Sequence, residues 1–291
     1  MNSTALSSRA RDHRLGVVLM LVSAACFSVN VLLIRALGSL LTVNVWLVSS
    51  ARFAIGLVVI FAVYRREVQP AHLFRNPKLV GRGLVGGLGT FLLYLTIVHL
   101  GAGRATFINN TYVILGALLA VVMLGEKFRA ALAVGGLATL VGLALLTNAF
   151  STHTPPSIYD LLAFLGACAS AYVVVTIRQL HATEHTSTIF AAQCVYGLFL
   201  CAGPALFEPM NIGPLAWAIM AVASAVAAVG QITMTGSFRH LAVAEGSLLQ
   251  MLTPLGIAVG GFAFFHERFS PQELIGALLI LIATIFVALR R

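Results

Sequence analysis

The sequence predicts an all-α membrane protein with ten transmembrane helices, built as a 5+5 inverted-topology repeat. Three observations predict it: a composition that only a bilayer tolerates, ten apolar stretches of spanning length, and a self-similarity running along the chain at one offset. Only 9% of the 291 residues are charged and 59% are hydrophobic, with a mean hydropathy of +0.98. A soluble domain carries roughly a quarter charged residues. About 20 apolar residues cross about 30 Å of hydrocarbon, and lipid-exposed backbone must satisfy its own hydrogen bonds. The runs are too long and too uniformly apolar for the alternating strands of a barrel, so the spans are helices.

The first span, 15–36, follows Arg9, Arg11 and Arg14 and imitates a secretory signal. Its apolar run continues past Cys26 to Ile34, and Ser23 suits a lipidation site poorly, so it is expected to be retained. The second, 43–64, contains Arg52 and stops at Arg65 and Arg66. The third, 79–99, carries the glycine-rich "GLVGGLGT", Gly83 to Thr90, which fits close helix approach better than phosphate binding because it lacks a P-loop lysine. The fourth, 104–124, ends in "LGEKF", and the fifth, 130–149, closes the first half. Spans 158–177, 187–206, 215–237, 246–265 and 272–289 form the second half, with Pro254 inside the ninth and "FHERF" after it. Cys26, Cys168, Cys194 and Cys201 all fall within spans without ligand spacing and read as small core residues.

With the N-terminus inside, Arg9, Arg11, Arg14, Arg65, Arg66, Arg75, Lys78, Arg82, Lys127, Arg129, Arg178, Arg239, Arg290 and Arg291 all fall on the cytoplasmic side. Only Arg35, Arg104 and Arg268 fall outside, with Arg52 inside a span. The net charge of +9 is therefore the positive-inside bias, not a nucleic-acid footprint, and both termini are expected in the cytoplasm.

The repeat explains why "LGEKF" and "FHERF" resemble each other. "LLIRAL" (Leu32 to Leu37) matches "VTIRQL" (Val175 to Leu180) at an offset of 143. "SARFAIGL" and "AAQCVYGL", "VHLGAGRATFIN" and "RHLAVAEGSLLQ", Glu126 and Glu267, Phe128 and Phe269, and Gly135 and Gly276 all pair at 141. The common offset defines halves 1–150 and 151–291. Five spans per half is an odd number, so the second half enters from the opposite side, as in many secondary transporters.

These segments, together with "GGLATLVGLAL", "SPQELIGALLILIATIFVAL" and the "ARF" of the second span, resemble the drug/metabolite transporter superfamily, EamA type, over essentially the whole chain. The resemblance implies a bacterial inner-membrane exporter, closest to exporters of amino acids, including aromatic ones. The family often has a proline in the fourth span where this chain has Val113, although the partner Pro254 is present. That puts a proline kink in the first half in doubt.

Glu126 and Glu267 read as structural or gating residues at membrane boundaries, where carboxylates can satisfy free N–H groups of the next helix; proton coupling is the competing reading. The remaining acids map to termini, loops or span ends. An ion-coupled pump usually carries an intramembrane ionisable relay, so facilitated transport or exchange is expected. His99 and His240, a repeat pair at span ends, read as interfacial anchors or neutral-pH titrators.

Arg52 either binds a substrate carboxylate or ties neighbouring helices; its repeat partner is Gln193. Thr90 and Tyr94 share a helical face, answered by Gln231 and Thr235; Asn109 and Tyr112 are answered by Gln250 and Thr253. Such residues either line a polar vestibule or bond helices to one another. Asn30, Asn110, Tyr172, Trp217 and Met251 are further candidates, with Trp46 and Trp217 also suited to an interface belt.

The expected partners are a small amino-acid-like substrate and the lipid bilayer, without nucleic acid or cofactor, in a monomer or weak dimer. The rivals are an exchanger of phosphorylated or nucleotide sugars, which needs more cavity cations than Arg52 alone, and a multidrug exporter. An enzyme or scaffold is disfavoured because no metal-ligand set or nucleophile triad is present and a scaffold leaves the repeat unexplained.

Overall fold

A computed structural model describes residues 3–40, 44–127, 130–149, 156–207 and 212–289. Phe128, Arg129, Glu208, Arg290, Arg291 and the side chain of Arg9 lie outside the described residues. Among the described residues the chain is helical throughout: α1 (Ser3–Leu40), α2 (Val45–Tyr64), α3 (Pro70–Arg75), α4 (Pro77–Leu100), α5 (Ala102–Asn110), α6 (Tyr112–Leu124), α7 (Ala130–Leu146), α8 (Ile158–Leu180), α9 (Thr186–Leu206), α10 (Pro214–Ser237), α11 (Val243–Gln250), α12 (Leu252–Phe265) and α13 (Pro271–Leu289). Eight segments are long and apolar enough to span a membrane, counting α5 with α6 and α11 with α12 as one each, and Ala130–Leu146 and Pro271–Phe286 are shorter apolar helices. Outward faces carry large apolar side chains, including Val122, Phe199 and Phe264, each more than two-thirds exposed. A soluble surface does not leave so many unpartnered.

Helix starts follow capping chemistry. The Asn44 and Asn76 side chains accept from the Trp46 and Lys78 N–H groups at the starts of α2 and α4. Asp160 accepts from the Ser157 N–H at 2.7 Å, and Glu273 from the Ser270 N–H at 2.6 Å, so "SIYD" and "SPQE" open α8 and α13.

Two spans are broken at matching places. Pro254 lacks an N–H and crowds the carbonyl one turn earlier, which accounts for the break between α11 and α12 at Met251. The fourth span breaks as well, at Thr111, although Val113 stands in place of the proline. There the Thr111 hydroxyl donates to the Ile108 carbonyl at 2.7 Å and its N–H to the same carbonyl at 3.2 Å, tightening the turn without a proline. Asn109 and Tyr112 therefore flank a break and do not share one continuous helical face, a correction to the sequence expectation. Gln250 and Thr253 flank the other break, bonded Nε2 to Oγ1 at 3.0 Å.

Packing is duplicated across the halves. α1 packs on α10 as α8 packs on α4; α4 packs on α9 as α10 packs on α2; α6 packs on α8 as α12 packs on α1; α2 meets α9 and α7 meets α13. Glycine makes two of these contacts possible. A Cβ at Gly87 would lie 2.6 Å from the Gly197 Cα, and one at Gly142 would lie 2.7 Å from the Gly276 carbonyl oxygen. The glycine run of α4 thus serves close helix approach.

Candidate functional site

The polar residues of α2, α4 and α9 form a seam. Arg82, Gly86, Thr90 and Tyr94 recur every four residues along α4 and so lie on one face. Arg52, half-buried on α2, donates through Nη1 to the Tyr94 hydroxyl at 2.6 Å and lies 5.7 Å from the centroids of Phe27 and Tyr94. Gln193, buried on α9, donates to the Thr90 hydroxyl at 3.1 Å and the Gly86 carbonyl at 3.3 Å. Its amide oxygen accepts from Arg82 Nη2 at 2.9 Å.

Arg82 joins this seam, which its sequence context does not suggest. Its neighbours Arg75 and Lys78 suggest a membrane boundary, yet its side chain is fully buried, the largest that is. The Pro77 start of α4 sets Arg82 on the second turn of the helix, facing α9.

The other candidates lie in separate pairs. Asn30 donates to the Ala223 carbonyl at 2.9 Å, joining α1 to α10. Asn109 accepts from Ser170 on α8 at 3.5 Å, and Gln250 accepts from Ser23 on α1 at 3.3 Å. Tyr112, Gln231, Thr235 and Met251 are buried. The Thr235 carbonyl is bonded to His181 Nε2 at 2.7 Å; burial outweighs this bond and holds the His181 pKa below its ordinary value. Among the second-rank residues, Asn110 bonds its own helix at the Thr106 carbonyl, Trp46 stacks on Phe91 at 3.9 Å, and Trp217 is exposed. Tyr172 approaches Gly81, where an added Cβ would meet its hydroxyl at 3.0 Å.

Two ion pairs occupy repeat-equivalent positions. Arg35 of α1 meets Glu267, just past α12, at 2.5 Å; Arg178 of α8 lies 3.7 Å from Glu126, just past α6. Arg35 matches Arg178 and Glu267 matches Glu126 in the repeat, so each pair joins the first span of one half to the fourth span of the other. Glu126 also accepts from the Val243 N–H at 3.3 Å, at the first residue of α11. The Arg35 guanidinium also lies 4.5 Å from the Phe265 ring centroid.

The looser pair borders a cavity of about 600 Å³ between α6, α7 and α11. Its walls are apolar, with Val113, Ala117, Leu132 and Leu248, and its polar residues are His13, Glu126, Lys127, Arg178 and Glu245. None of the residues predicted to bind substrate lines it. His13 and Glu245 are joined at 2.6 Å. Among the described residues no cluster of three or more His, Cys, Asp or Glu is placed to hold a metal.

The profile of the EamA-like transporter family matches the chain twice, over residues 14–148 and 157–289. The pseudopaline exporter CntI, from two strains of Pseudomonas aeruginosa, is 25% identical over 275 residues, covering 93% of this chain and 94% of the exporter. A crystal structure of a protein shares the fold with a TM-score of 0.72 and 19% identity, over 93% of this chain and 95% of the other.

Proposed function

Since the chain belongs to the EamA-like transporter family, and is thereby a multi-pass membrane protein, we propose that it exports small amino-acid-like metabolites across the bacterial inner membrane by alternating access. Its ten spans form two halves of opposite topology, with both termini in the cytoplasm. The observation that carries this reading is the duplicated Arg–Glu pair. Inverted halves set the two pairs at opposite membrane faces, one drawn tight and one loose beside an open cavity. In the alternate state their roles exchange, since a two-fold repeat gives each half access to the other's conformation. The likeness to the pseudopaline exporter of Pseudomonas aeruginosa supports export as the direction.

Within the protein a substrate carboxylate binds Arg52, whose partner Tyr94 takes up one guanidinium donor of five. Phe27 and Tyr94 supply the aromatic wall for an aromatic or bulky apolar side chain. Transport runs down the substrate gradient, because the described acids sit at helix ends or in links, apart from Asp12 ahead of the first apolar run, and offer no mid-span relay.

Liposomes containing the purified protein test this reading. Labelled phenylalanine, tryptophan, methionine and threonine are expected to show saturable flux without an imposed ion gradient, with a sugar phosphate excluded. Flux of the sugar phosphate alone overturns the substrate class. Amino-acid flux that requires a pH gradient overturns the uncoupled mechanism.

A further inference from the structure

Arg82 is a fully buried cation with no ion pair among the described residues. Its guanidinium makes one hydrogen bond, to the neutral Gln193 amide; Nε and Nη1 have no partner among the described residues. Six of the described acids are engaged elsewhere. Asp160 holds Arg104, Glu184 holds His72 and Asn76, Glu245 holds His13, Glu267 holds Arg35, Glu126 holds Arg178, and Glu273 caps α13. Arg52, the other cation of this seam, likewise meets a phenol and two rings but no carboxylate among its described contacts.

The backbone beside Arg82 is shaped around the guanidinium. A Cβ at Gly86 would meet Nη1, so a side chain there would displace the guanidinium from its place against α4. The Gly86 carbonyl faces Thr90 and Gln193, which bond to it at 3.0 and 3.3 Å. Arg82, Gln193, Thr90, Tyr94 and Arg52 thus form one polar column between α2, α4 and α9, with a cation at each end and no anion in it.

A buried charge lacking a partner is expensive to keep. A ligand that brings the missing negative charge recovers that cost when it binds, which makes the pair of cations a selectivity element. We propose that Arg82 is a second carboxylate contact beyond Arg52, and that among amino-acid-like solutes the protein prefers those carrying at least two carboxylates and a net negative charge. The inference rests on the transport reading above and narrows its substrate class. In the conformation described here the guanidinium is sealed between α4 and α9. Gly83 and Gly87 pack closely against Ala192 and Gly197 there, so a solute reaches Arg82 only in a conformation in which this contact has changed.

The test uses full-length protein in liposomes, with the potential set by a potassium gradient and valinomycin. Efflux of labelled glutamate (two carboxylates), glutamine (the same shape with one) and phenylalanine is compared, with a sugar phosphate alongside. Glutamate is expected to outrun glutamine by at least about tenfold, the discrimination of one charge-assisted hydrogen bond, and to respond to the potential as an anion does. Arg82→Gln is expected to bring that ratio to near one, and Arg82→Lys to retain part of it. If Arg82→Gln does not fold, the wild-type ratio and its dependence on potential still decide. Equal glutamate and glutamine flux, or a ratio unchanged in a folded Arg82→Gln, overturns the proposal and leaves the transport reading standing. Preference for the sugar phosphate overturns the carboxylate assignment, and no flux of any probe overturns both.

Discussion

Replacing Arg52 with glutamine is expected to lower amino-acid flux about ten- to hundredfold, with the protein still folded. The magnitude is that of one hydrogen bond to a charged group, about 1.5–3 kcal/mol, at roughly 1.4 kcal/mol per decade. Glutamine is a mild replacement here, because Gln193 occupies the equivalent place in the other half and is buried between α9 and α4. Tyr94→Phe separates the two roles open to Arg52. It removes the 2.6 Å bond between α2 and α4 but leaves the guanidinium in place. If Arg52 holds the substrate carboxylate, Tyr94→Phe keeps most of the flux and Arg52→Gln loses it. Equal flux per folded molecule in both variants, with a lowered melting temperature, would reduce Arg52 to a tie between helices.

Leucine at Gly87 is expected to abolish most of the folded protein. The new Cβ would meet the Gly197 Cα at 2.6 Å and its nitrogen at 3.0 Å, and both are backbone atoms that cannot swing aside. Overpacking that side chains can absorb costs about 1–3 kcal/mol. Here α4 and α9 must separate, and with them the seam from Arg82 to Tyr94, so the loss should exceed about 3 kcal/mol, a large share of an ordinary folding free energy. Gly203→Leu on α9 is the matched control, since a Cβ there meets nothing within 4 Å. The readouts are the monodisperse fraction in detergent and the melting temperature. A Gly87→Leu protein as well behaved as Gly203→Leu would mean that the close approach of α4 and α9 is dispensable.

Apolar run length made the helices legible in the sequence, since nothing competes with burial in lipid for so uniform a stretch. What resisted reading depended on direction and docking. The break at Pro254 has a visible cause, whereas Thr111 carries no signal until its hydroxyl is seen to turn back on Ile108. Arg82 was masked by its basic neighbours Arg75 and Lys78, although its spacing of eight from Thr90 and twelve from Tyr94 puts it on the stripe those two residues already define. Both members of each Arg–Glu pair stand out in the repeat. Their pairing across halves emerges only when α1 docks beside α12 and α8 beside α6. Asn30 and Asn109 were read as possible cavity residues, and the structure gives each a partner on a neighbouring helix.

The claim that the two halves open alternately to opposite faces is tested most directly at Ala117 and Ala258, which correspond in the repeat and are both half-buried. Ala117 lines the cavity beside Glu126. With the native cysteines replaced, Ala117→Cys and Ala258→Cys are labelled in turn by a membrane-impermeant thiol reagent applied from each face, with and without substrate. Without substrate, Ala117→Cys should label from the face that carries Lys127, and Ala258→Cys should be protected. During transport, labelling at Ala117→Cys should fall as that at Ala258→Cys rises, from the opposite face. Labelling of both positions from a single face, or accessibility at Ala117→Cys that transport leaves unchanged while Ala258→Cys stays closed, would contradict the account.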